Sequence, residues 1–203
     1  MNNDNVKDNS SKQILLSVLG VAILVVAVVG VSFAAFTFTG TGTKENTIST
    51  GTISMTYSED TNGIFITNAL PTEDEAGKVL TGEKEKFDFT VSSSIEGTAT
   101  IDFEIAAAKD PSSTIADNNV KLYLERKTGG SYTSVKEPTA YTALTADSAL
   151  GTPAGSMVLY SGSHTSTTVD NFRLRMWLSS DAVVNPDVIQ AYTVKVNVYG
   201  KAA

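Results

Sequence analysis

Few side chains in this chain could carry chemistry, and their types limit what that chemistry would be. The single histidine, His164, sits in Ser161-Gly162-Ser163-His164-Thr165-Ser166, a polar, turn-like stretch that predicts a solvated loop imidazole rather than a ligand or general base. With one histidine and no cysteine, two-His zinc motifs, thiolate metal sites, iron–sulfur clusters, disulfides and thiol nucleophiles are excluded. Glu59-Asp60-Thr61-Asn62-Gly63 puts oxygen ligands beside a glycine, but the full D-x-[DN]-x-[DN]-G loop and its distal Glu are missing, so a hairpin turn is expected. Glu73-Asp74-Glu75 reads as a solvated acidic loop, and the Ser and Thr hydroxyls are too numerous for any one to stand out as a nucleophile. No catalytic, cofactor-binding or metal-binding residue is predicted. The row Arg173, Arg175, Trp177 is different, because Arg and Trp are enriched at interface hot spots. It reads as a candidate interface, or as cross-strand pairing with acids such as Asp102 and Glu104, which is the favoured reading.

The elements that must position these groups are strands. The chain has 203 residues, 41% hydrophobic and 18% charged, enough for one sizeable domain core without disulfides. Its net charge of −7 disfavours nucleic acid, since phosphate contacts need clustered Lys and Arg. Phe172, Leu174, Met176 and Leu178 alternate with Arg173, Arg175 and Trp177, and Tyr192, Val194, Val196 and Val198 alternate with polar residues, the period of a half-buried strand. Further strands are expected at Ile53-Met55-Tyr57, Ile64-Phe65-Ile66, Phe87-Phe89-Val91, Ile101-Phe103-Ile105, Val120-Leu122-Leu124 and Met157–Tyr160, about eight or nine in all. Asp110 to Asn119 has room for a short helical turn, and Lys136 to Ser156 reads as the longest irregular stretch. Short strands punctuated by Asn-Gly, Asp-Pro and Gly-Gly predict an all-β fold, an antiparallel β-sandwich of jelly-roll type.

The start of the chain is unlike the rest. Ile14 to Ala35 is an uncharged apolar run of about 22 residues, long enough to span a bilayer as a helix, with Lys7 and Lys12 ahead of it. Ser32-Phe33-Ala34 is a small-x-small pattern, so a signal peptidase would cut between Ala34 and Ala35. The competing reading is an uncleaved anchor, because the run exceeds an ordinary signal-peptide core. The organisation expected is a cytoplasmic leader over 1–13, a hydrophobic helix over 14–34, a flexible strand or linker over 35–46, and the sandwich over 47–203. In either case the domain lies outside the cell membrane.

The junction Ser32-Phe33-Ala34-Ala35-Phe36, followed by Thr47-Ile48-Ser49-Thr50-Gly51-Thr52-Ile53-Ser54-Met55, resembles the TasA and camelysin family of exported Gram-positive proteins. The resemblance continues more loosely through Asn68-Ala69-Leu70-Pro71 and Phe87 to Val91, and returns at Ala191-Tyr192-Thr193-Val194. It implies processing by a specialised signal peptidase, a jelly-roll domain, and assembly into biofilm matrix fibres by passing an N-terminal strand to the next subunit. It carries a metallopeptidase label too, which the single histidine does not support. Phe36 and Phe38 alternate with threonines ahead of Gly40-Thr41-Gly42-Thr43, so they are the expected donor residues; a disordered stalk is the alternative. The expectation is a homo-oligomeric, non-enzymatic matrix subunit that binds no nucleic acid and meets the membrane only before processing. The alternative is a membrane-tethered surface module for a glycan or protein.

Overall fold

Alternation of apolar and polar side chains commits most of the chain to strands, each with one face that must be covered. In a computed structural model, which describes residues 37–41, 46–50, 53–60, 64, 69–146, 150–151, 155–184 and 190–203, this burial is met by two sheets that share one core. The strands are β1 (Thr37–Thr41), β2 (Asn46–Thr50), β3 (Ile53–Glu59), β4 (Pro71–Thr72), β5 (Lys86–Ile95), β6 (Ile101–Lys109), β7 (Val120–Thr128), β8 (Ser131–Ala140), β9 (Ser156–His164), β10 (Thr168–Ser179) and β11 (Val194–Ala202). The first sheet runs β1-β11-β6-β9, the second β2-β3-β5-β10-β7-β8. Every pairing is antiparallel except β4, which lies parallel to the end of β10 through Leu178↔Pro71 and Ser179↔Thr72. The fold is all-β, as expected, and Thr37–Ala203 forms one compact unit.

The core shows why the alternation works. In β5, Phe87, Phe89, Val91, Ser93 and Ile95 are buried, while four of the five residues between Lys86 and Ser94 that alternate with them are half-buried and Ser94 is exposed. Phe89 and Phe172 stack at 5.4 Å on neighbouring strands, and Phe172 meets Tyr160 of the opposite sheet at 5.5 Å. Ile101, Phe103, Ile105, Val196 and Val198 line the facing sheet. A smaller cluster of Val120, Leu178 and Ala182 closes one end over Ile115 and Tyr192.

Several expectations need correction. Lys136 to Ser156 is not all irregular, because β8 continues to Ala140 and a 3-10 turn follows at Tyr141–Ala143. A 3-10 turn also forms at Asp117–Asn119, within the stretch where a helical turn was expected. Gly40 and Thr41, within the segment 35–46 expected as a flexible strand or linker, lie in β1, which pairs with β11 over Thr37↔Lys201 to Thr41↔Asn197. Part of the 35–46 segment is thus a strand of the domain. Phe65 and Ile66 and the apolar segment 14–34 lie outside the described residues. Among the described residues no helix is long and apolar enough to cross a membrane.

Candidate functional site

The Arg173, Arg175, Trp177 row occupies the outer face of β10, as its phase requires, but it is not an open interface. Trp177 is 4% exposed and Arg175 5%. The cover comes from the segment between β3 and β5, which the acidic triplet Glu73-Asp74-Glu75 enters as a single helical turn, α1 (Asp74–Gly77). Gly77 is where α1 touches the sheet. A Cβ there would stand 2.3 Å from the Trp177 ring, so only glycine lets the turn lie on the indole. Asp74 reaches Lys121 at 3.1 Å, and Leu80 accepts a 2.6 Å hydrogen bond from Arg175 Nε. The triplet is therefore not simply a solvated loop.

Pairing with acids does occur along this row, but with Asp88 and Glu125 rather than Asp102 and Glu104. Strand order decides this, because β10 lies between β5 and β7 whereas Asp102 and Glu104 belong to β6 in the other sheet. Arg173 grips Asp88 with two hydrogen bonds, Nε at 2.7 Å and Nη2 at 2.8 Å, and stacks on the Tyr132 ring at 4.0 Å. Arg175 Nη1 pairs with Glu125 in a buried setting. Burial alone would raise the Asp88 carboxyl, but hydrogen bonding and attraction from Arg173, with help from Lys86, outweigh it and hold the group below its ordinary 3.8. A depressed folded value means that the pair contributes stability above the unfolded carboxylate range and loses it as pH falls through the folded value. Asp88→Asn should therefore flatten the acid side of the stability-against-pH curve below about pH 4, measured by urea denaturation at stepped pH. An unchanged acid limb would show that the pair contributes nothing measurable.

His164 is not a solvated loop residue. It ends β9 on the inward phase, 3% exposed, with its ring 4.7 Å from Phe103. Its Nδ1 is 2.8 Å from Ser93 Oγ and its Nε2 3.0 Å from Asp170 Oδ2. Asp170 Oδ1 accepts from Arg126 Nη2 at 2.8 Å, and Arg126 Nη1 reaches Tyr160 at 3.4 Å. A serine, a histidine and an aspartate in sequence contact resemble an acyl-transfer relay, but Ser93 and Asp170 are each 5% exposed, so a substrate has no approach to the hydroxyl. What the arrangement does is tie β9 of one sheet to β5 and β10 of the other by hydrogen bonds whose buried members are all partnered. The sequence signal was present: Ser93 and Asp170 interrupt the inward apolar phase of Phe87-Phe89-Val91 and of Phe172-Leu174.

The junction residues Ser32, Ala34, Ala35 and Phe36 lie outside the described residues. Phe38 is in β1, opposite Gly200 of β11. β1 is the end strand of its sheet and has its only ladder, among the described residues, with β11. No family model matches the chain, and no curated protein or solved structure matches it either. The resemblance to the TasA and camelysin family thus rests on the residues that carry it.

Proposed function

We propose that the chain is an exported, non-enzymatic cell-surface protein, a subunit of extracellular matrix fibres built by donor-strand exchange. The observation that carries this reading is the placement of β1. It is a five-residue edge strand next to the junction whose one ladder among the described residues is with β11, and its departure would open the main-chain groups of Asn197–Lys201 to an equivalent strand. The same segment from a second copy would restore the same ladder, so exchange changes the partner and leaves the contacts in kind. The strand orders β1-β11-β6-β9 and β5-β10-β7-β8, with the β2-β3 hairpin added at one edge, support a jelly-roll reading of the domain. The family resemblance at the junction supports cleavage between Ala34 and Ala35, which would free the donor, and a secreted or surface location; an uncleaved helix would leave the domain tethered to the membrane. Of the two features behind the tethered-module alternative, the Arg175 and Trp177 side chains are covered, while the apolar segment 14–34 lies outside the described residues.

Electron microscopy of the protein starting at Ala35 tests the reading, alongside a Phe36→Ser, Phe38→Ser variant. Each docked aromatic removed should cost about 3 kcal/mol or more per contact. Fibres in the parent and none in the variant, with both monomers folded by circular dichroism, are expected. Equal fibre formation in both, or none in either, would refute exchange.

A further inference from the structure

The outer face of the second sheet has two halves of different character. One half lies under α1 and its flanking segment. The other carries three successive cross-strand hydroxyl pairs, Ser54↔Ser94, Thr56↔Ser92 and Ser58↔Thr90, on the phase opposite to inward Met55, Tyr57 and Val91; Ser94 is exposed and the other five are half-buried. At its end, beside Ser58, is a groove of about 290 Å³ with Glu59, Asp60, Asp88, Thr90, Tyr132 and Asn171 in its lining. That volume is at the low end for small-molecule clefts, suited to one ring-sized group.

The groove's polar groups are held in place by the protein. Arg173 fixes the Asp88 carboxylate through both oxygens and stacks on Tyr132, which makes the ring a rigid wall. The Thr90 hydroxyl donates to Asn171 Oδ1 at 3.2 Å, which leaves the two amide N–H groups of this exposed side chain without a protein acceptor among the described residues. Glu59 Oε2 already accepts from the Tyr57 hydroxyl at 2.9 Å. The result is a set of carboxylate acceptors, amide donors and hydroxyls around an aromatic wall.

Ligand classes can be sorted against this set. An anion would meet Glu59, Asp60 and Asp88 in a chain of net charge −7. A metal ion finds no group of three or more acidic or histidine side chains placed to hold it among the described residues. A cationic side chain would find Asp88 already paired with Arg173 and Lys86, Glu59 accepting from the Tyr57 hydroxyl, and Asp60 with a partner of its own. A neutral polyol can both donate to the carboxylates and accept from the Asn171 amide, and a sugar ring adds an apolar C–H face for Tyr132. We propose that this groove is a binding site for one sugar unit of a neutral polysaccharide, whose neighbouring units lie on the uncharged hydroxyl pairs. The proposal does not depend on fibre assembly.

Isothermal titration of the intact domain with maltohexaose, cellohexaose, chitohexaose and mannohexaose tests it, with tetralysine and calcium chloride as competing classes. At least one hexasaccharide should bind, and more tightly than its own monosaccharide. Asn171→Ala and Tyr132→Ala should each weaken that binding about tenfold, the loss of one well-placed contact. Asn171 is exposed, so its substitution leaves folding intact and keeps the test valid even if Tyr132→Ala lowers the melting temperature. Absence of binding by all four sugars, binding unaffected by Asn171→Ala, or binding of tetralysine or calcium in their place would overturn the proposal.

Discussion

Phe172→Ala should destabilise the domain by about 3–5 kcal/mol, the usual cost of emptying a buried aromatic site that cannot collapse. Phe172 is fully buried in the middle of β10, which is flanked on both sides by β5 and β7. Its ring lies on Phe89 at 5.4 Å within its own sheet and against Tyr160 at 5.5 Å in the other, so one side chain serves both packing within a sheet and closure between sheets. Backbone relaxation cannot fill the space, because β10 is locked by ladders on either side over this stretch. For a domain of this size the melting temperature should fall by roughly 10 °C. Thermal and urea denaturation measure it. A loss below about 1 kcal/mol would mean that the two sheets do not close on this ring.

Glu125→Gln should be almost as costly, about 3–5 kcal/mol, for a different reason. Arg175 is 5% exposed and Glu125 8%, so neutralising the carboxylate leaves a buried guanidinium whose remaining strong contact is the Leu80 carbonyl. Most of the penalty is the stranded charge rather than the attraction lost. A double replacement, Glu125→Leu with Arg175→Met, should therefore recover most of the stability, since it removes both desolvation costs. Trp177, the only tryptophan, lies one outward position along β10 and 6.4 Å from Tyr123, so its fluorescence reports on the same region during denaturation. If Glu125→Gln costs under about 1 kcal/mol, water reaches the pair and the α1 cover stands open in solution.

Both effects come from partnerships that alternation alone leaves open. The period-two pattern was sufficient to place β3, β5, β6, β7, β10 and β11, because an apolar residue at every second position has to face a core whatever the topology, and the apolar run Met157–Tyr160 placed β9. It missed β8, Ser131-Tyr132-Thr133-Ser134-Val135-Lys136-Glu137-Pro138-Thr139-Ala140, since an edge strand buries little and needs no apolar stripe. It also missed β4, whose two residues form a strand only because β10 offers a lane there.

The sequence by itself determined the all-β class, the absence of cysteine chemistry, and which residues of each strand share a face. Tertiary structure decided what covers each face. Arg175 and Trp177 were correctly phased outward, yet a segment about a hundred positions earlier folds over them, and a glycine at Gly77 makes the contact close. Polar neighbours in sequence made His164 look like a loop residue, while its real surroundings, Ser93, Asp170 and Phe103, come from three other strands. The physical reason is one of range. Periodicity follows from the pleat and is written locally, whereas burial and charge pairing depend on strand order, which brings together residues that no local pattern relates.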